Sequence, residues 1–362
     1  MPLPRLLCPI ASHRLLSACV LALALIPLAF SAQAQAQTQA PAAIQGDARL
    51  QMHTLLWPTE LPSTAAPKAH EFITPKSNYL LDFHGSIQNP NLVIFLAGNQ
   101  YRAFPELIAA FREWASQQAA YRQLPLANVF YATLPPAHLI DAMDVGKLQV
   151  GNFWFDVRPD ALWPDVFMTN TAQHTRLFQS GYIEKYAVYT RNKGVVLLVK
   201  AGNPKHITGL QDLARPDVNV AISAPTGPTA GNSYLRTLQQ QGGDAFADKV
   251  LAKPGTVLSY VVHHRENPQF IADGQADVAP MYFHFGDYLK KTFPQQFDYV
   301  PLPKEGNVIE ELSIAKIRTA PHPLAAQAWI DFIRTDTAAA IFNRHGFDYA
   351  PLAERTVDVT PQ

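Results

Sequence analysis

An unbroken apolar run followed by a helical stripe marks residues 91–118. Leu92, Val93, Ile94, Phe95 and Leu96 are consecutive and rich in β-branched and aromatic side chains, the pattern of a strand buried on both faces. Ala97-Gly98-Asn99-Gln100 interrupts it with small and polar residues. Phe104, Leu107, Ile108 and Phe111 then recur at helical spacing and predict a helix running to about Gln118. A strand, a tight turn and a helix in succession aim the free N–H groups of the helix start into the turn. Gly98 lets the backbone come close, and Asn99 suits the N-cap, so an anion can be held there without a charged side chain.

The device repeats. Strands are predicted at residues 129–132, 165–168, 195–199, 218–223, 277–282 and 312–317 from their apolar runs. Helices are predicted at 137–143, with Pro136 in the first turn, and at 173–179, 232–241, 265–273, 323–334 and 335–344. Residues 210–213 read as one helical turn, and residues 224–231, rich in Gly, Pro and Thr, read as a loop between strand and helix. Strands alternating with helices point to parallel sheets flanked by helices.

Composition narrows the function classes. The 362 residues suffice for two domains, and 29 Lys plus Arg balance 29 Asp plus Glu, so no net field draws the chain to nucleic acid or to an acidic membrane. Arg5 and Arg14 precede an apolar run at residues 15–30, closed by Ser31-Ala32-Gln33-Ala34, which reads as a secretory signal cleaved after Ala34. Leu16-Ser17-Ala18-Cys19 resembles a lipobox but opens the apolar run instead of closing it. Both cysteines, Cys8 and Cys19, fall within the signal, leaving the mature chain no disulfide, thiol nucleophile or thiolate metal ligand. Residues 35–90 read as a low-complexity linker and an N-terminal extension without assigned function.

At this point the residues spell out a family pattern. FLAGNQYRAFPELIAAF, PDVFMTNTAQHTRLFQSGYI, VVLLVKAGNPKHITGLQDLARPDVNVAISAPTGPTAGNSYL and HHRENPQFIADGQADVAPMY resemble successive segments of the periplasmic molybdate-type substrate-binding proteins of ABC importers. HPLAAQAWIDFIRTDTAAAIFNRHGF resembles the C-terminal helix pair of such proteins, so the likeness spans about residues 91–347. It implies an α/β, two-lobed type II periplasmic binding protein fold, each lobe a mostly parallel sheet flanked by helices. Lobe 1 would comprise residues 91–190 and return at 311–362, with lobe 2 at 191–310. The implied function is capture of a small oxyanion, molybdate- or tungstate-like, in the periplasm for a membrane-embedded ABC permease, by a monomer without cofactor, metal or catalytic activity.

The same resemblance places ligand contacts at Asn99, where the family usually has Ser, near Thr133, at Ala230, at His264 through its backbone, and at the Tyr282 hydroxyl. Gln100, Thr226 and Thr229 sit in the same turns, and Arg265 reads as reaching the ligand's edge or, preferentially, as an interlobe salt bridge or a helix-surface residue. Residues 97–100, 132–135 and 224–231 contain no Lys, Arg, Asp or Glu, so the shell reads as neutral donors that discriminate by size and protonation. His263-His264-Arg265-Glu266 lacks the spacing of a metal site, and a ferric site would want clustered tyrosines where Tyr282 stands alone in its segment. Two further readings stand beside the oxyanion. One is an organic acid, suggested by Asn99, Gln100 and the aromatic stretch holding Trp154, Phe155 and Trp163, which otherwise reads as packing. The other is an enzyme on the same fold, for which no catalytic motif is present.

Overall fold

The computed structural model describes residues 82–150, 153–225, 232–259, 263–350 and 357–361. The secretory signal, the linker, most of the extension, and Thr226, Thr229 and Ala230 lie outside the described residues.

β1 (Phe83–His84) opens the described chain, followed by β2 (Leu92–Leu96), all five residues of which are buried. Leu92, Ile94 and Leu96 face one apolar cluster, whereas Val93 and Phe95 face another, as the period of two requires for a strand covered on both sides. Gly98–Gln100 form a 3-10 turn, and α1 (Phe104–Gln117) starts beyond it with no side-chain cap. This corrects the sequence expectation that Asn99 caps the helix. β3 (Val129–Ala132) leads into α2 (Pro136–Val145), whose first residue is the helix-tolerant proline. β4 (Lys147–Val150) and β5 (Phe153–Asp156) pair as a hairpin. β6 (Val166–Asn170) runs into α3 (Thr171–Gln179), with the Asn170 side chain accepting from the Gln173 amide as a true N-cap. β7 (Ala187–Arg191) completes this part of the chain.

After a short connection come β8 (Val195–Lys200), β9 (Val220–Ser223), α4 (Ser233–Gly242) and α5 (Asp244–Ala252). They are followed by β10 (Thr256–Ser259), α6 (His263–Ala272), β11 (Val278–Tyr282), α7 (Phe283–Thr292) and β12 (Phe297–Pro301). The chain then returns through β13 (Glu311–Lys316), α8 (Pro323–Ile333), α9 (Asp336–Arg344) and β14 (Asp348–Tyr349).

Two main sheets result. The first has seven strands in the order β1-β3-β2-β6-β13-β7-β14, and the second has five in the order β10-β9-β11-β8-β12. Parallel ladders join β3, β2 and β6 in one and β10, β9 and β11 in the other. The strands beside the two crossovers run antiparallel, so each sheet is mixed, with its parallel part beside the strand-to-helix turns. Clusters built on Trp329, Phe111 and Phe332, and on Phe130, Leu139 and Trp163, cover opposite faces of the seven-stranded sheet. A third cluster surrounds the five-stranded sheet.

The chain crosses between the sheets twice, at residues 192–194 and 302–310, and the two crossovers are laced together. Asn192 Oδ1 accepts from the amides of Gly194 and Glu310, and Asn307 exchanges two hydrogen bonds with the Val195 backbone at 2.8 and 2.9 Å. Gly194 has φ of 80°, and a Cβ there would lie 2.7 Å from Asn307 Oδ1. Among the described residues, no helix is long and apolar enough to cross a membrane.

Candidate functional site

The carboxyl ends of the parallel strands and the turns that follow them bring most of the described candidate residues together. On the seven-stranded side, the turn after β2 packs against the turn after β3. A Cβ on Gly98 would lie 2.5 Å from the Thr133 carbonyl oxygen and 2.9 Å from His264 Cε1 of α6, so only glycine fits between them. Asn99 is buried; its carbonyl accepts from His284 Nε2 of α7 at 2.9 Å, and its side-chain Oδ1 has no partner. Gln100 turns the other way, accepting from the buried Tyr189 hydroxyl within its own half. Tyr101 crosses over and joins the core of the five-stranded sheet, stacking on His264 with ring centres 5.6 Å apart.

Two of the expected ligand hydroxyls are engaged with carboxylates. Thr133 Oγ1 donates to Asp82 Oδ1 at 3.2 Å, and the Tyr282 hydroxyl donates to Glu310 Oε2 at 3.1 Å. Arg265 forms an ion pair with the same Asp82, both side chains being 13% exposed, and Arg236 lies 3.7 Å from Glu310. This corrects the expectation of a carboxylate-free shell. The turns themselves carry no charge, but a carboxylate from the extension and another from the second crossover reach into them.

The five-stranded side adds residues that the sequence did not single out. Ser223 and Ser259 end β9 and β10 and are in-register neighbours on parallel strands, so their side chains leave the sheet on one face. They are 1% and 0% exposed, and neither hydroxyl has a hydrogen-bond partner among the described residues. β9 ends shortly before Thr226, Thr229 and Ala230 in the sequence, and α4 and α6 follow β9 and β10 along the chain. A serine closing a strand before a Gly/Pro loop reads in sequence as a turn former. That describes Ser223, whereas Ser259 is followed by Tyr260, Val261 and Val262, and only their pairing across adjacent strand ends distinguishes the two serines.

Electrostatics keep the aromatic floor of this region neutral. Burial pushes the His263 imidazole down to about 4 and His284 down to about 3, and it holds His264 well below the ordinary histidine range, helped by His263 and Arg265. His284 therefore donates from Nε2 as a neutral ring, leaving Nδ1 an acceptor without a partner. Burial, then Glu310, raises the Tyr282 phenol well above its usual value, so it stays protonated. Tyr234 sits against Tyr282 with ring centres 4.8 Å apart and against His263 at 4.7 Å. The tyrosine that stands alone in its segment is thus paired in space. Phe155 stacks on Phe83, and Trp163 donates to Thr319 at 3.0 Å, so these two aromatics serve packing.

Comparison with known proteins follows the same outline. The sequence model of the bacterial extracellular solute-binding proteins matches residues 92–348. The molybdate-binding protein ModA of Mycobacterium tuberculosis (strain ATCC 25618 / H37Rv) is 24% identical over 184 residues, 51% of this chain. That match spans 65% of ModA, just under two thirds of the relative's length. The sulfate-binding protein SubI from Mycobacterium tuberculosis H37Rv superposes with a TM-score of 0.52 at 19% identity, covering 75% of this chain and 89% of its own. Iron-bound HitA from Pseudomonas aeruginosa superposes with a TM-score of 0.51 at 14% identity, covering 75% and 88%. At these identities the two superpositions speak for the fold alone.

Proposed function

Since the chain belongs to the bacterial extracellular solute-binding proteins, whose members bind substrates and are not enzymes, we propose that it is an exported receptor for a small oxyanion. The fold is the two-lobed type II periplasmic binding protein fold. We assign the seven-stranded sheet, residues 91–190 and 311–362, to lobe 1 and the five-stranded sheet, residues 191–310, to lobe 2, a division supported by sheet membership. The guest is of the molybdate, tungstate and sulfate class, and its destination is a membrane-embedded ABC permease.

One observation carries the choice of ligand: the paired, buried and unpartnered hydroxyls of Ser223 and Ser259. A buried hydroxyl without a partner forfeits roughly 1–3 kcal/mol, a cost that a guest accepting from it would recover. Neutral hydroxyls and the N–H groups at the start of α6 bind a fully deprotonated ion by geometry, whereas the Tyr234 and Leu235 amides at the start of α4 are already capped by Asn232 Oδ1. The nearby cations Arg265 and Arg236 are already matched by Asp82 and Glu310, so they add no net positive field. Thr226, Thr229 and Ala230, which follow β9 in the sequence, are assigned to the same shell in this reading, with Asn99 contributed by lobe 1. The lobes close over the ion about the laced crossovers. Isothermal titration of the full-length protein with molybdate, tungstate, sulfate and phosphate tests the assignment. Saturable one-site binding of at least one of them is expected, and no heat with any of them contradicts it.

A second reading, a ferric ion, is favoured by the Tyr234–Tyr282 pair with Glu310 at the Tyr282 hydroxyl and His263 alongside. It requires both deeply protonated phenols to ionise on metal binding. A visible tyrosinate-to-iron charge-transfer band on adding ferric citrate would establish that reading, and a colourless mixture would exclude it. The organic-acid alternative keeps Asn99 but loses the support of Gln100, which is turned toward Tyr189, and of Phe155 and Trp163, which pack elsewhere.

A further inference from the structure

The segment ahead of the family-matched stretch ends beside the turns that hold the candidate residues. β1 pairs antiparallel with β3, Phe83 opposite Ala132 and His84 opposite Tyr131, and the Thr133 amide donates to the Asp82 carbonyl at 2.9 Å. That register fixes the Asp82 side chain at the mouth of the turn after β3. Its Oδ1 accepts from the Thr133 hydroxyl of one lobe, and its Oδ2 pairs with the Arg265 guanidinium of the other. One carboxylate thus collects a neutral donor from lobe 1 and a cationic donor from lobe 2, as the proposed guest would. Both side chains are largely buried, and ion pairs in that setting return little net stability for their desolvation. Asp82 also lies ten residues before the matched stretch begins at residue 92, so its contribution comes from this chain's own extension.

We propose that Asp82 is a tethered competitor and specificity-determining residue. It occupies part of the anion's donor shell, and a guest must displace it from Thr133 and Arg265 to use them. A carboxylate and an oxyanion share the necessary chemistry, since both are acceptor-only and negatively charged. The tether raises the apparent dissociation constant by the inverse of the fraction of molecules in which the donors are free. It therefore favours a guest with enough charge to outcompete a monocarboxylate. The inference rests on the oxyanion reading for the identity of the guest, but the competitor itself can be tested without it.

The experiment uses the full-length chain with Asp82→Asn, which keeps shape and removes charge, and Asp82→Ala, which vacates the space. Titration with molybdate and sulfate should give affinities at least about tenfold tighter for Asp82→Asn than for the unaltered protein. Asp82→Ala should melt lower than the unaltered protein. Sodium formate should restore its melting temperature selectively, relative to sodium chloride at equal ionic strength, by supplying the missing carboxylate. A gain in either readout supports the tethered competitor, and the absence of both overturns it. If the unaltered protein binds no oxyanion while formate rescues Asp82→Ala, the oxyanion reading fails and the competitor stands. If the unaltered protein binds molybdate or sulfate and neither readout changes, the competitor fails and the oxyanion reading stands.

Discussion

Ser223 and Ser259 allow binding to be separated from structure at the level of single atoms. Their hydroxyls have no hydrogen-bond partner among the described residues, so Ser223→Ala and Ser259→Ala should each leave the unliganded protein at least as stable in urea, with a gain of up to about 1–3 kcal/mol from removing a buried unpaired hydroxyl. Each should nonetheless weaken oxyanion binding by about 2 kcal/mol, roughly thirtyfold, because each removes a hydrogen bond to a charged acceptor. A variant that loses stability and keeps affinity would mark its serine as structural. The buried imidazoles support a second residue-level prediction. His263 and His284 have folded-state values of about 4 and 3, below the unfolded value near 6.5. The unfolded chain therefore binds more protons in between. The stability these rings contribute is fully present above about pH 6.5 and is lost as pH falls through that window, at about 1.4 kcal/mol per pH unit per ring. His284→Gln, which can still donate to the Asn99 carbonyl, should flatten this slope in urea melts between pH 6.5 and 4, and an unchanged slope would refute the assignment. Tyr282 was legible in the sequence because it closes a strand within a recognisable segment. The two serines were not, since their meaning lies in a register between strands that are more than thirty residues apart.

Among the elements, the crossovers carry the clearest prediction. Gly194→Ala forces a left-handed φ on a residue with a Cβ and drives that Cβ into Asn307, so it should cost about 1–3 kcal/mol in urea denaturation. Asn307→Ala should be less than additive with it, because both changes disrupt the same lacing. Full additivity would show that the crossovers are not coupled. The long apolar runs and periodic helices, β2, β8, α1, α8 and α9, could be read from the chain because burial on one or two faces writes itself into the pattern. β7, β12 and α7 could not. β7 and β12 are short strands with mixed burial whose placement is decided by pairing with β13 and β8. α7 begins directly from β11 with Tyr282 as its N-cap and no turn residue between them. The 3-10 turn after β2 displaced the expected Asn99 cap for a related reason: Tyr101 is drawn into the neighbouring core, which delays the helix to Phe104.

For the whole molecule, the two lobes already touch through Tyr101 on His264, His284 on the Asn99 carbonyl, and Arg265 on Asp82. A guest that binds the folded chain and not the unfolded one should add stability by mass action. At a hundredfold excess over the dissociation constant the gain should be about 2.7 kcal/mol, read as an upward shift of the melting temperature with molybdate. The decisive measurement is the anomalous scattering of tungsten in crystals of the full-length protein grown with tungstate. The ion should lie between the lobes, within hydrogen-bond distance of the Ser223 and Ser259 hydroxyls. A tungsten peak away from both serines, or no peak between the lobes at saturating tungstate, would contradict the proposed site.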